Sequence, residues 1–150
     1  MKRTLCLAAA TLALFLSSTA TFAQSGSLKL RFHVSFPFAV ENTKFAAGDY
    51  EVTDPAHLIL ELRNLQGQAA AFEHVQPASS SEKADGRIRV VFHRYDNEYF
   101  LAVISDGSTK STFRLRQSRQ EARLADTRPK PELRIVSVLP DGTIRETLGR

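Results

Sequence analysis

The sequence predicts a mainly β protein, an antiparallel sandwich or small barrel of about 7–9 strands with one helix near residues 115–127. Three observations lead to this prediction. From Leu28 onward, apolar and polar residues alternate with period two along most of the chain. Turn residues recur at intervals of about 8–12 positions, as in all-β domains. Only one segment combines helical apolar spacing with a helix-start signal.

The first strand is predicted over residues 28–34 (LKLRFHV), which have one apolar and one polar face. Pro37 ends it, because proline cannot donate a hydrogen bond to a strand ladder. A second strand is expected after a kink at Gly48, and Asp54-Pro55 predicts a turn.

Two hairpins are predicted in the middle of the chain. The first joins residues 57–63 and 69–75, with Gly67 at the turn position that needs a positive φ. The second joins residues 87–95 and 99–105 around Asp96-Asn97. Its two-residue loop would pair Phe92 with Leu101, Val90 with Val103, Val91 with Ala102 and His93 with Phe100. Apolar residues on both faces of this hairpin predict strands that are covered on two sides.

The helix is predicted over residues 115–127. Leu115, Ser118, Ala122 and Ala125 would share one face, and Arg116, Arg119 and Arg123 a neighbouring one. Ser118 followed three residues later by Glu121 matches a capping box. We expect the helix to cross an open end or edge of the sheet, and two last strands to follow over residues 133–139 and 144–148.

The first 23 residues have the pattern of a cleavable secretory signal peptide. Lys2 and Arg3 precede a 12-residue apolar run, and a small-residue stretch ends at Ala23. The run is shorter than the roughly 20 residues of a transmembrane anchor, and Cys6 is misplaced for a lipoprotein signal. Cleavage would export residues 24–150 as a single β-rich domain without cysteine and without a membrane anchor, to the periplasm or the extracellular space.

Positive charge is concentrated in the C-terminal third. Residues 24–150 carry 18 basic and 16 acidic side chains, but residues 110–150 alone carry 10 basic and 5 acidic ones. Arg116, Arg119 and Arg123 are therefore the predicted binding residues, and the partner would be an anionic envelope component or a protein. Export argues against nucleic acid. The alternative is a solvated helix face whose arginines pair with Glu121 and Asp126.

Catalytic signals are weak. His93 and Asp96 at the end of a hairpin are the best acid–base candidates, although Asp96-Asn97 is also ordinary turn chemistry. His33, His57, His74 and His93 lack metal-ligand spacing, so no metal or cofactor is predicted. Two functions remain open. The first is an exported non-enzymatic binding module or envelope-associated structural protein, and the alternative is a small secreted hydrolase with a site between strands near His93 and Asp96.

Three segments together resemble a known group of proteins. They are FAAGDYEV (45–52), VVFHRYDNEYFLAVI (90–104) and RLRQSRQEARLA (114–125). The combination is similar to small exported β-rich proteins of unknown function, known mainly from acidobacteria. The resemblance implies export and a β-rich fold, and it implies no activity, ligand or site residue.

Overall fold

The computed structural model describes residues 28–56, 58–67, 70–78, 84–108, 112–128 and 130–149. The predicted signal peptide and His57 lie outside these ranges. The strands are β1 (Lys29–Val34), β2 (Phe38–Val40), β3 (Thr43–Phe45), β4 (Gly48–Ala56), β5 (Ile59–Asn64), β6 (Ala70–Pro77), β7 (Ile88–Tyr95), β8 (Glu98–Ser105), β9 (Thr112–Leu115), β10 (Glu132–Val138) and β11 (Ile144–Gly149), and the helix is α1 (Arg119–Thr127). The predicted mainly β fold with one helix is confirmed for the described residues.

Nine of the strands form one antiparallel sheet in the order β1-β4-β5-β6-β9-β8-β7-β10-β11. The sheet curls until β1 contacts β10. Ser35, just after β1, donates its backbone N–H and its hydroxyl to the Glu146 carboxylate of β11, at 3.3 and 2.9 Å. Of the two predicted architectures, the fold is therefore a nearly closed barrel. Strands of this kind bury one face inside, which explains the period of two in the sequence.

Aromatic side chains fill the barrel interior. Phe38 stacks on Phe45 from the short β2–β3 hairpin, with ring centroids 5.3 Å apart. It also meets Phe92 of β7 at 5.2 Å and Tyr50 of β4 at 5.0 Å, both edge-on. All four side chains are buried. The β2–β3 hairpin thus supplies core residues from a segment that the sequence does not mark as a strand pair.

Half of the predicted pairing in the β7–β8 hairpin is correct. Phe92 lies opposite Leu101 and His93 opposite Phe100, as predicted. Beyond Phe92 the register shifts, so Val91 faces Val103 and Val90 faces Ile104. The predicted pairs of Val90 with Val103 and of Val91 with Ala102 are wrong because Ala102 forms a bulge. A bulge adds one unpaired residue to one strand and moves every later pair by one position.

The predicted turn at Asp54-Pro55 is also wrong, because both residues lie within β4. The pairing of β4 with β5 is irregular between Thr53 and Ala56. Proline is tolerated in a strand at such an irregularity, where its missing N–H breaks no regular ladder bond. Gly67, by contrast, has the predicted positive φ, 79°.

The helix begins later than predicted and packs elsewhere. Leu115 ends β9, and Ser118 is the N-cap, accepting a hydrogen bond from the Glu121 N–H at 3.0 Å. Arg116 therefore precedes the helix and does not share a helical face with Arg119 and Arg123. Two helix side chains contact the outer face of the sheet rather than an end or edge: Leu124 and Ala125 pack on Ala39, Tyr95 and Phe100. The predicted two-sided covering of β7 and β8 is thereby confirmed for the end of the hairpin at Tyr95 and Phe100.

No helix among the residues that the structure describes has the length and apolar character needed to cross a membrane.

A pair of carboxyl groups lies where the β2–β3 turn meets β6. Glu73 is opposite the buried Leu60 in the β5–β6 register, and Glu41 belongs to the β2–β3 turn. Partial burial, followed by the charge and hydrogen bond of Glu41, raises the pKa of Glu73 to about 7. Two close carboxylates cannot both be ionised without cost, so one proton is retained.

This pair predicts a stability loss as the pH rises. Between its ordinary value of 4.5 and about 7, Glu73 keeps its proton when folded but loses it when unfolded. The unfolded state then binds fewer protons, so the free energy of unfolding falls through this window. We expect a loss of about 1 kcal/mol after allowing for solvent screening, measured by urea unfolding at pH 4.5 and 7.5. Glu73→Gln should remove this dependence of the unfolding free energy on pH, whereas Glu132→Gln, at an exposed position of β10, should keep it. An equal pH dependence in all three proteins would contradict the assignment.

Candidate functional site

The first turn of α1 brings a buried carboxylate to the outer face of the sheet. Glu121 occupies the third helical position and its backbone is held by the Ser118 cap. Its Oε1 lies 2.6 Å from Nδ1 of His93 in β7. The Glu121 side chain is 4% exposed and that of His93 is 26% exposed. The carboxylate of the predicted capping box thus contacts a histidine from another element.

The strand register explains why His93 points toward the helix. Phe92 is directed into the barrel core, and adjacent strand residues point to opposite faces. His93 and Tyr95 are therefore on the outer face, where α1 packs. Burial, followed by the negative charge of Glu121, raises the pKa of the Tyr95 hydroxyl. Glu121 thus contacts His93 and also acts on Tyr95, two residues farther along the same strand.

A cavity of about 550 Å³ opens beside the His93–Glu121 pair. Its lining comes from β6, β7, β8, β9, the segment before α1 and the first turn of α1, and β8 and the end of β9 supply the apolar residues. The lining residues are Gln76, His93, Ala102, Val103, Arg114, Leu115, Arg116, Gln117 and Glu121. The volume is within the usual range for small-molecule sites, about 300–1,000 Å³.

The cavity has a cationic wall. Gln76, Arg114 and Val103 are in one row across β6, β9 and β8, so Arg114 stands beside an apolar floor. Arg116 follows two residues later and also lines the cavity. Of the carboxylates in the described residues, none forms an ion pair with Arg114 or Arg116. The acidic lining residue, Glu121, is paired with His93, which leaves a net positive site.

The predicted site residues are divided between this cavity and other surfaces. Arg116 lines the cavity, while Arg119 and Arg123 are exposed on α1. His93 lies in the cavity but is bonded to Glu121. Asp96 has a positive φ of 55° in the β7–β8 turn and forms a salt bridge with Arg128 after the helix. The structure therefore joins His93 to a different carboxylate from the one that the sequence suggested.

His33 and His74, the two other histidines that the structure describes, do not line the cavity. His33 of β1 binds Asp49 of β4 through Nδ1 at 2.8 Å, on an exposed surface. His74 is exposed on β6. Among the residues described, no three histidine, cysteine or acidic side chains are close enough together to hold a metal ion.

Sequence reasoning missed four contributors to the cavity, Gln76, Arg114, Gln117 and Glu121. Glu121 was recognised for its capping spacing and as an alternative ion-pair partner of the helix arginines, and no motif connects it with a histidine 28 residues earlier. Arg114 was detectable only as one member of the basic C-terminal third. The outward direction of His93, which follows from the apolar Phe92 beside it, was the one signal that could have indicated the site.

No protein-family model, curated protein or solved structure matches the chain.

Proposed function

We propose that the protein is an exported domain that binds a small anionic molecule, or the acidic end of a larger envelope component, in the cavity beside His93. The observation that carries this proposal is the pair of guanidinium groups, Arg114 and Arg116, on the wall of a cavity of about 550 Å³. Guanidinium groups bind carboxylate and phosphate through directed, charge-assisted hydrogen bonds.

The rest of the lining suits an organic anion. Ala102, Val103 and Leu115 provide an apolar floor, and Gln76 and Gln117 provide amides. Ligand sites commonly combine a mostly apolar lining with a few polar groups that fix orientation. A ligand with one acidic group and a short apolar body would use all parts of this lining.

Arg119 and Arg123 extend the positive charge beyond the cavity. They lie four residues apart on the exposed side of α1. Surface charges of one sign attract an oppositely charged ligand and raise its association rate, mainly at low ionic strength. In this proposal they steer the ligand, whereas Arg114 and Arg116 hold it.

Calorimetric titration with glutarate and with inorganic phosphate tests the proposal. We expect binding of at least one anion, weakened about tenfold by Arg116→Gln or Arg114→Gln, which corresponds to about 1.4 kcal/mol. Arg123→Gln is the matched control, because it removes an exposed arginine outside the cavity; its affinity should stay within about twofold of wild type at physiological salt. Absence of binding, or equal weakening by all three substitutions, would overturn the cavity as the site.

A further inference from the structure

We infer that the cavity also hydrolyses esters of its acidic ligand, with His93 as the general base that activates a water molecule. The inference rests on the proposed function for the way in which the substrate is held. The inference adds a chemical reaction to ligand binding. The observation that leads to it is the pairing of His93 with Glu121.

The hydrogen bond to Glu121 determines which ring nitrogen is available. When its carboxylate is ionised, Glu121 can only accept, and Nδ1 of His93 is then the donor in the 2.6 Å contact. In the neutral ring the lone pair is then on Nε2. Among the described residues, Glu121 makes the one polar contact of the His93 ring. The His93 side chain is 26% exposed and lines the cavity. In this inference the exposed part of the ring includes Nε2, which faces a water molecule in the cavity.

The burial of Glu121 separates this pair from an ordinary surface ion pair. His33 and Asp49 have a similar contact of 2.8 Å, but their side chains are 44% and 58% exposed. The Glu121 side chain is 4% exposed, and desolvating a carboxylate costs several kcal/mol. A buried carboxylate that orients a cavity-lining imidazole is the arrangement by which proteins hold a histidine base in one tautomer. Glu121 is thus a positioning residue.

The lining also indicates the nucleophile. The nine lining residues that the structure describes include no serine, threonine or cysteine, so none of them offers a hydroxyl or thiol nucleophile. Water is the remaining nucleophile.

The reaction balances with water as the co-reactant. His93 Nε2 takes a proton from water while the water oxygen bonds to the ester carbonyl carbon. The tetrahedral intermediate then breaks its bond to the alcohol oxygen, and that oxygen takes the proton back from Nε2. The products are the free acid and the alcohol. Arg114 and Arg116 bind the second, unreacting acidic group of the substrate, and the Gln76 amide can donate to the carbonyl oxygen as it becomes negative.

The substrate that tests the reaction is the mono-4-nitrophenyl ester of glutaric acid, with release of 4-nitrophenolate as the readout. The uncharged 4-nitrophenyl butyrate is the comparison substrate. We expect His93→Asn to lower kcat about 100-fold and Glu121→Gln to lower it about tenfold, with KM nearly unchanged. Arg116→Gln should instead raise KM about tenfold for the charged ester and leave the butyrate ester unaffected.

His33→Asn is the matched control, because it removes a histidine that also has a carboxylate partner but lies outside the cavity. It should retain wild-type kcat. One measurement on the wild-type protein needs no substitution: kcat should fall in heavy water, because a proton moves from water to His93 in the proposed step. This measurement keeps the test valid even if His93→Asn does not fold.

The outcomes separate this inference from the proposed function. Turnover no faster than in buffer, or equal turnover by wild type and His93→Asn, overturns the hydrolytic role. If glutarate then still binds in a way that depends on Arg116, the binding function stands alone. If His93-dependent turnover occurs while neither glutarate nor phosphate binds and Arg116→Gln has no effect, the anion site is overturned and the hydrolytic role remains.

Discussion

Replacement of Phe92 by alanine is expected to lower the free energy of unfolding by about 3–5 kcal/mol. Phe92 is fully buried. Its ring packs edge-on against Phe36 and Phe38, each with a centroid distance of 5.2 Å. The substitution removes apolar surface from contact and leaves a cavity at the centre of the barrel, and both effects destabilise the folded state. Equilibrium unfolding in urea, followed by circular dichroism, measures the loss.

Phe72→Ala is the control for this prediction. Phe72 is on the outer face of the sheet and is 63% exposed, so its loss should change stability by less than about 0.5 kcal/mol. Phe92→Leu keeps part of the ring volume and should cost about 1–2 kcal/mol, which keeps the site measurable if the alanine variant does not fold. Equal effects of Phe92→Ala and Phe72→Ala would show that this ring is not at the centre of the core.

The second large effect is expected at the helix–sheet contact. Replacing His93 by leucine leaves the Glu121 carboxylate buried without its histidine partner. Breaking a fully buried ion pair costs about 3–5 kcal/mol. Because His93 is 26% exposed, we expect the free energy of unfolding to fall by a smaller amount, about 2 kcal/mol. The double variant with leucine at both positions should recover much of this loss, because no unpaired charge is left behind. A double-mutant cycle in urea gives the coupling energy.

The exposed pair His33–Asp49 provides the matched cycle. With alanine at both positions, its coupling should be below about 1 kcal/mol, because water screens exposed ion pairs. Similar coupling energies for the two pairs would contradict the burial argument for Glu121. Stability does not by itself distinguish a structural contact from a positioned base. That distinction comes from the kinetic measurements. Loss of a purely structural contact would not lower kcat while leaving KM unchanged.

The fold class was predictable because each strand carries its own signal. In β1, Leu30, Phe32 and Val34 are buried and the residues between them are less so, as the alternation requires. A strand with one face inside a barrel must have this pattern, and it is readable without knowing the neighbouring strands. The choice between sandwich and barrel depends on the contact of β1 with β10, which joins residues about 100 positions apart and leaves no local signal.

The hairpin and the helix show where local reasoning fails. The bulge at Ala102 was not predictable, because alanine fits either register and the apolar pattern does not exclude the shift. Leu115 fits the helical spacing, but its backbone pairs with β6. Pairing with a neighbouring strand outweighed a spacing of apolar residues that was compatible with both structures.

The candidate site was predictable only in part. His93 was identified from the sequence, and Arg116 was chosen for its charge. Their common cavity was not predictable, because it requires β6, β8, β9 and the start of α1 to meet on one face. Asp96 was the expected partner of His93 since it is near in sequence, yet the structure pairs it with Arg128.

The mainly β class, the capping of the helix at Ser118 and the placement of His93 on the face opposite Phe92 were predictable from the sequence, because each follows from the alternation or spacing of neighbouring residues. Three features were not predictable: that the sheet curls into a barrel, that α1 packs on its outer face, and that Glu121 is the carboxylate at His93. These contacts join segments far apart in the chain, and their energies come from burial and charge pairing that arise only when the elements pack together.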